Sequence, residues 1–313
     1  MEPIIRIEDI SHVRFAAPDL SEMRTFLEDF GLICSEHGGR LYGRGSDGAA
    51  FTHCTEQGEP AFKALGFRAE SLADLETLAR REGAEVEALD DPGGGHVVRL
   101  TDPDGFLVEV VAGQAPAVPE APLSDTPHNT AAARPRLRKT IRLAQGPSHV
   151  LRLGHCVLNV SDFRASENWY KERFGFLTSD EIEMAPGAAM GAFMRCDRGD
   201  QPTDHHTLFL AQLPQPPGFL HAAFEVAHLD DLMLGHAHLK AKGRDQAWGV
   251  GRHIMGSQVF DYWRDPWGHE LEHWTDGDLF TAADPPNKMP FTALLAVQWG
   301  TPHPMLAGED GPK

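Results

Sequence analysis

The sequence predicts an α+β fold of four βαβββ modules, which pair into two domains with curved, mostly antiparallel sheets. Three observations lead to this prediction: the two halves of the chain repeat, a strand precedes a helix twice in each half, and each half closes on an Asp-Pro-x-Gly turn between two strands. This order disfavours a doubly wound parallel sheet. A sheet curved into a half-barrel by each module pair would enclose a cavity lined by inward-facing residues.

The first module of each half begins with an apolar strand followed by an amphipathic helix. The N-terminal half opens with ISHVRFAAPDLSEMRTFLEDFGL and the C-terminal half with LGHCVLNVSDFRASENWYKERFGF. Each has an Asp or Ser near the start of the helix and an aromatic residue followed by Gly at its end.

The second modules repeat this order and add the closing hairpin. FKALGFRAESLADLETLARREG matches FLHAAFEVAHLDDLMLGHAHLKAKG, again as strand, helix and Gly stop. Each half then ends on two strands around a turn, TDPDGFLVEV at 101–110 and RDPWGHELEH at 264–273.

A segment without a hydrophobic period separates the halves. Residues 114–149 are rich in Pro, Ala and polar residues, which is typical of a linker or an extended wrapping segment. We therefore expect domains at 1–113 and 150–280. The tail, 281–313, mixes proline with large apolar residues and is expected to act either as a lid over the cavity or as a strap on the domain surface.

The composition of the 313-residue chain excludes several classes of partner. Lys and Arg number 28 against 46 Asp and Glu, so the formal charge of −18 repels nucleic acid and anionic membranes. No apolar stretch approaches the ~20 residues that span a bilayer, and the start lacks a secretory pattern, so we expect a cytoplasmic protein. The cysteines form no CxxC pair and are expected to be buried thiols: Cys34, Cys54, Cys156 and Cys196.

Aligning the two halves selects a candidate metal site in the C-terminal half. Alternation along a strand puts Glu270 and Glu272 on one face, so parity alone cannot choose between them. The alignment matches His12 with His155, Ala64 with His221, Leu107 with Glu270 and Glu109 with Glu272. The repeated carboxylate is therefore Glu272.

Two histidines and one carboxylate form the facial triad of mononuclear non-haem Fe(II) oxygenases. Ala64 prevents the N-terminal half from completing such a triad, so we expect one metal per chain, held by His155, His221 and Glu272. Each of these residues alone has a simpler explanation, because a lone His or Glu on a strand is more often exposed or hydrogen-bonded in a polar network.

The C-terminal half, roughly residues 150–280, resembles the catalytic domain of type I extradiol ring-cleavage dioxygenases of the vicinal oxygen chelate superfamily. The family signature matches HIMGSQVFDYWRDPWGHELE, residues 253–272. Asp261 departs from the signature, because the family usually has an apolar residue there, and this departure leaves the subfamily open. The paired-domain organisation matches over nearly the whole chain.

The resemblance implies roles for six residues. It makes His155, His221 and Glu272 ligands of Fe(II), or of Mn(II) as in some members. It also implies an acid–base histidine 15 positions before His221, which is His206. His205 is expected to point the other way on the strand. The resemblance matches His253 and Tyr262 to a substrate-contacting pair, which would hydrogen-bond a bound phenolate.

The other histidines of this half are expected to lie outside the site. His228, His236 and His238 fall on a helix and are interpreted as surface residues. His269 and His273 lie on the strand face opposite Glu272 and are expected to pack or to meet solvent.

The resulting prediction is an extradiol dioxygenase that inserts both atoms of O₂ into a catechol and opens its ring to a semialdehyde. One alternative keeps the chemistry and changes the substrate to a hydroquinone or trihydroxy aromatic. Another is a non-catalytic protein of the same fold that sequesters an aromatic compound. The resemblance also implies a homo-oligomer.

Overall fold

The computed structural model describes residues 2–121, 123 and 127–304, and its N-terminal half forms an eight-stranded sheet. The strands lie in the order β2-β3-β4-β1-β5-β8-β7-β6, with helix α1 following β1 and helix α2 following β5. The elements are β1 Ile7–Ala17, α1 Leu20–Phe30, β2 Ile33–His37, β3 Arg40–Arg44, β4 His53–Gln57, β5 Ala61–Ala69, α2 Leu72–Glu82, β6 Glu87–Ala88, β7 His96–Thr101 and β8 Leu107–Ala112.

The C-terminal half repeats this arrangement in a ten-stranded sheet, with the order β19-β10-β11-β13-β9-β14-β17-β16-β15-β20. The elements that form its two modules are β9 Val150–Asn159, α3 Phe163–Phe174, β10 Leu177–Ala185, β11 Ala188–Arg195, β13 Leu208–Ala211, β14 Gly218–Val226, α4 Leu229–Ala241, β15 Asp245–His253, β16 Val259–Arg264 and β17 Glu270–Thr275. Strand β18 Leu279–Phe280 pairs with β12 Thr203–Asp204, and the tail then adds β19 Asn287–Pro290, α5 Phe291–Leu295 and β20 Val297–Gly300.

Four βαβββ modules are therefore present, as the repeat predicts. In each module the first strand pairs in parallel with the last, for example β14 with β17, and the outer strands pair antiparallel. The two first strands of each half, β1 with β5 and β9 with β14, pair antiparallel at the centre of their sheet.

The repeated sequence signals form equivalent helix ends. The Asp19 side chain accepts hydrogen bonds from the backbone N–H groups of Ser21 and Glu22 at the start of α1, and Asp162 does the same for Ala165 at the start of α3. Helix α1 ends at Gly31, whose φ of 104° is readily reached only by glycine. Both helices bury their apolar face against the core.

Residues 114–149 contain no helix or strand in the part that the structure describes. The first residues of this segment run along the N-terminal half, where the Ala117 N–H donates to the Gly48 carbonyl and the Glu120 N–H to the Ser46 carbonyl. Among the described residues, no helix is long and apolar enough to cross a membrane.

The two halves share one apolar core. Ring stacking and hydrogen bonds also join the halves. His273 is buried, stacks on the Phe30 ring with centroids 3.8 Å apart, and hydrogen-bonds the Phe30 carbonyl at 2.7 Å. The Tyr170 hydroxyl crosses the same boundary to donate to Asp102 at 3.0 Å. His273 therefore packs between the halves and leaves the opposite face of β17 to the cavity.

Candidate metal centre and cavity

Three neighbouring strands of the C-terminal sheet bring the predicted triad together. His155 lies on β9, His221 on β14 and Glu272 on β17, and β14 is the middle strand. The Nε2 atoms of both histidines lie 3.3 Å from Oε2 of Glu272, and the three candidate ligand atoms all lie within 4.8 Å of one another.

The electrostatics of this cluster suit a divalent cation. Glu272 is 1% exposed, yet neither of its oxygens accepts a hydrogen bond with good geometry, and His155 Nδ1 also has no partner. Burying a carboxylate without a partner destabilises the folded state by roughly several kcal/mol unless a cation neutralises the charge. Two imidazole nitrogens and one carboxylate oxygen therefore form a donor set that fits iron or manganese.

The protonation states agree with ligand roles. Burial opposes ionisation of Glu272, but the imidazoles of His155, His221 and His253 outweigh it and hold the pKa of that carboxyl well below its usual range. Burial also lowers the pKa of His155, so its imidazole stays neutral near pH 7. A neutral imidazole and an ionised carboxylate are the forms that coordinate metals.

Glu270, the other carboxylate on this face, has a partner. Its Oε1 accepts a hydrogen bond from Nη2 of Arg264 at 2.9 Å, and a third of its side chain is exposed. The choice of Glu272 over Glu270 therefore agrees with the geometry.

His206 lies beside the triad, with its ring centroid 3.9 Å from that of His155. The edge of Phe193 packs against it, with centroids 4.8 Å apart. Burial and the neighbouring imidazoles lower the pKa of His206 well below its ordinary value. His205 turns away from the triad, and its Nε2 lies 2.6 Å from Oδ2 of Asp180.

His253 and Tyr262 lie on the other side of the triad. The Tyr262 hydroxyl is 3.1 Å from His253 Nε2, and this nitrogen lies 3.6 Å from Oε1 of Glu272. The Tyr262 ring meets His221 edge-on at 5.1 Å. Burial and the Glu272 charge raise the pKa of Tyr262 well above its ordinary value, so the phenol keeps its proton as a hydrogen-bond donor.

These side chains form one end of a cavity of about 1030 Å³. The rest of the cavity is mainly apolar and includes Met190, Phe193, Phe209, Leu213, Phe219, Leu220, Ile254, Met255, Phe291 and Leu294. Among the described lining residues, Arg264 and Glu270 are the only Lys, Arg, Asp or Glu side chains, and they pair with each other.

The tail covers part of this cavity. Strand β19 pairs with the edge strand β10, strand β20 pairs with the opposite edge strand β15, and α5 lies between β19 and β20. Residues 287–300 thus run from one edge of the sheet to the other. Along this path α5 contributes Phe291, Leu294 and Leu295 to the cavity wall.

The site in the N-terminal half that corresponds to the triad holds an arginine side chain. His12 Nε2 lies 2.7 Å from Oε2 of Glu109, and Arg14 Nε donates to the same oxygen at 2.6 Å. The Arg14 guanidinium thus supplies the positive charge that neutralises Glu109. Ala64 stands where a second imidazole would be. Arg14 also pairs with Asp91.

Asp261 belongs to a buried cluster on the far side of the sheet. Its carboxylate accepts hydrogen bonds from Trp263 Nε1 at 2.6 Å and Gln246 Nε2 at 3.0 Å, and lies 3.1 Å from Nδ1 of His236. The departure from the family signature thus lies beneath helix α4, opposite Tyr262.

The interpretation of three helix histidines as surface residues is wrong. All three are half-buried. His236 contacts Asp261, His238 lies 3.2 Å from Oδ1 of Asp29 in the other half, and His228 caps α4 by accepting from the Asp231 N–H at 3.1 Å. The apolar pattern of α4 did not reveal these partners, because each partner except Asp231 comes from a distant part of the chain.

Family models and related proteins agree with this fold. The model of the Glyoxalase/Bleomycin resistance protein/Dioxygenase superfamily matches residues 9–110 and 152–273, and the chain belongs to this superfamily. Among characterised relatives, the chain is 28% identical over 301 residues to metapyrocatechase 2 of Cupriavidus necator, covering 94% of this chain and 89% of the relative. It is 25% identical over 292 residues to an iron-dependent extradiol dioxygenase of Rhodococcus jostii, covering 87% and 90%.

Solved structures share the fold over most of the chain. A Mn(II)-bound glyoxalase of Novosphingobium aromaticivorans superposes with a TM-score of 0.77 at 22% identity, covering 95% of this chain and 92% of that one. A homoprotocatechuate 2,3-dioxygenase of Arthrobacter globiformis has a TM-score of 0.73 at 21% identity, covering 92% and 86%.

Proposed function

We propose that the protein is an Fe(II)-dependent extradiol dioxygenase that cleaves a catechol ring beside its diol, inserts both atoms of O₂ and releases a ring-opened semialdehyde. The observation that carries the proposal is the buried cluster of His155, His221 and Glu272 at the end of an apolar cavity. The names of the relatives, metapyrocatechase and iron-dependent extradiol dioxygenase, support the same chemistry.

In this proposal the triad holds the metal and leaves one side open to the cavity. Fe(II) is preferred, and Mn(II) fits the same donor set. When bound, the metal supplies the electron transfer that lets O₂ react with the ring. The catalytic domain is residues 150–280, and the N-terminal domain, 1–113, has Arg14 in place of a metal.

The remaining polar residues manage the diol and its protons. Tyr262, which keeps its phenolic proton, donates a hydrogen bond to one diol oxygen, and His253, whose Nε2 is 3.1 Å from the Tyr262 hydroxyl, lies beside it. His206 stands on the opposite side of the triad and accepts a proton from the diol, which it later returns to an oxygen atom of O₂ as the O–O bond breaks. These groups orient the ring within a site that excludes water.

The cavity further favours a catechol with a large apolar substituent. Its volume of about 1030 Å³ lies at the upper end of the ~300–1000 Å³ typical of ligand sites, so a bare catechol would leave much of it empty. Arg264 is already paired with Glu270, so no lysine or arginine among the described lining residues is free to bind a carboxylate. A carboxylated catechol would bury its charge without a lysine or arginine to neutralise it.

Oxygen uptake tests the proposal. Protein loaded anaerobically with Fe(II) should consume O₂ with 3-phenylcatechol at higher kcat/KM than with catechol, and least with 3,4-dihydroxyphenylacetate. Uptake with hydroquinones alone would support the alternative substrate. Retention of the aromatic compound without uptake across the panel would support the sequestering protein.

A pair of variants on α5 tests the substituent pocket separately. Leu294→Lys places an ammonium group in the cavity wall and should shift the preference toward 3,4-dihydroxyphenylacetate. Thr292→Lys is the matched control, because Thr292 lies on the exposed side of the same helix. An unchanged preference in Leu294→Lys would contradict the proposed position of the substituent.

A further inference from the structure

Behind His206 lies a chain of buried hydrogen bonds that the proposed chemistry does not yet use. Oδ2 of Asp180 is 2.6 Å from His205 Nε2, and His205 Nδ1 is 3.1 Å from His206 Nδ1. All three residues are at most 5% exposed. The chain runs from β10 toward the triad and ends at a histidine that lines the cavity.

The chemistry of the end groups fixes which atom donates in each of these hydrogen bonds. A carboxylate only accepts hydrogen bonds, so His205 must carry its proton on Nε2 to donate to Asp180. The Nδ1 atom of neutral His205 then has a lone pair, which can accept only from an N–H on Nδ1 of His206. Neutral His206 is left with an unprotonated Nε2, which is its nitrogen available to a ligand.

The surroundings of His205 hold its ring in place for this contact. The rings of Phe193 and Phe280 both have their centroids 5.3 Å from that of His205. The backbone N–H of His205 donates to the Asp278 carbonyl at 3.0 Å. Gly256 leaves room for the imidazole, because an added Cβ would lie 3.0 Å from its Nδ1.

We propose that Asp180 and His205 are positioning residues that hold His206 in the Nδ1–H tautomer, with the lone pair of Nε2 directed to the cavity. The tautomer stands on the hydrogen-bond geometry, and its catalytic consequence rests on the proposed function. A diol O–H proton would move to His206 Nε2 while the oxygen keeps the electron pair. The resulting imidazolium would still donate from Nδ1 to His205, whose link to Asp180 stabilises the positive charge.

Nitrogen NMR of the metal-free, histidine-labelled protein tests the tautomer without any turnover. The His206 signals are identified by their loss in His206→Phe. In the wild type they should show a protonated Nδ1 and an unprotonated Nε2. In Asp180→Leu and His205→Phe the Nε2–H tautomer of His206 should become populated, because the hydrogen bonds that select the Nδ1–H tautomer are then lost.

Asp180→Asn is the gentler variant and should give a mixture of tautomers, since an amide both accepts and donates. Glu181→Gln is the matched control, because Glu181 is the next residue on β10 and pairs outward with Arg164 at 2.6 Å. It should leave the His206 signals unchanged. A protonated Nε2 in the wild type, or the same tautomer in all Asp180 variants, would overturn the proposal.

Kinetics of the Fe(II)-loaded protein provide the second readout. Asp180→Asn should lower kcat about 10–100-fold, as expected for a group that orients another, with iron content unchanged and KM changed less than about twofold. Loss of iron or a rise in KM alone would point to a structural role. If the wild type shows the expected tautomer but cleaves no catechol, the proposed function fails and the positioning role stands.

Discussion

Replacing Asp9 with asparagine is expected to stabilise the protein at neutral pH. Asp9 lies on β1 at the junction with Arg152 of the other half, whose Nη1 is 3.7 Å away. Burial and the nearby Asp204 carboxylate raise the pKa of Asp9 from 3.8 to about 6, against the opposing charges of Arg152 and Arg68. At about 1.4 kcal/mol per pKa unit, ionising Asp9 costs at most about 3 kcal/mol.

The expected gain is smaller, because 27% of the Asp9 side chain is exposed and water screens the charge. We expect Asp9→Asn to raise the free energy of unfolding by about 1–2 kcal/mol near pH 7. Asparagine keeps the acceptor for the Ile10 N–H, and Arg152 keeps partners in Asp204 and Glu225, each at 2.7 Å.

The sign of the pH dependence follows from the raised pKa. The folded state binds the Asp9 proton more tightly than the unfolded state does. The stability that protonated Asp9 contributes to the wild type is therefore complete below about pH 4 and is lost as the pH rises through about 6. Urea denaturation at several pH values should therefore show variant and wild type converging near pH 4. Glu8→Gln, on the adjacent carboxylate that pairs with Arg68 at 2.9 Å, is the control. An equal gain at pH 4 and pH 7, or no gain at pH 7, would refute the reasoning.

Three further changes test other parts of the structure. Gly154→Ala would bring a Cβ within 2.6 Å of Trp274 and should cost roughly 1–3 kcal/mol in thermal unfolding, whereas Gly146→Ala meets nothing within 4 Å and should cost little. Asp261→Leu should destabilise by roughly 1–3 kcal/mol in urea, because it leaves a buried indole N–H without a partner; an unchanged midpoint would contradict this. A thiol reagent should label the native protein slowly and only at Cys34, the one half-buried thiol of the four, whose pKa burial raises to about 12; fast labelling of a second thiol would contradict the packing.

The modules and the triad were predictable because the repeat records which positions are equivalent. Alternation along β17 left Glu270 and Glu272 equal, and only comparison with the strand that carries Glu109 separated them. The same comparison identified Ala64 as the position where the N-terminal half lacks a histidine. These inferences need the face and order of the strands, which local sequence patterns report well.

The partners of individual side chains were not predictable, because they come from distant parts of the chain. Asp261 stood out only as a departure from the signature, and its contact with His236 requires knowing that α4 covers that part of the sheet. The link from Asp180 to His205 likewise joins residues 25 positions apart on different strands. The path of the tail between the two sheet edges depends on short strands, β19 and β20, which have little pattern of their own.

The most direct test of the central claim is the identity of the product formed from 3-phenylcatechol and O₂ by the Fe(II)-loaded protein. We expect a yellow product that contains both oxygen atoms of one O₂ molecule and is formed by cleavage of the ring bond beside the diol. We expect His221→Ala to lack both iron and product. A dicarboxylic acid formed by cleavage of the ring bond between the two hydroxyls would contradict the proposed function. Full iron content in His221→Ala would contradict it as well.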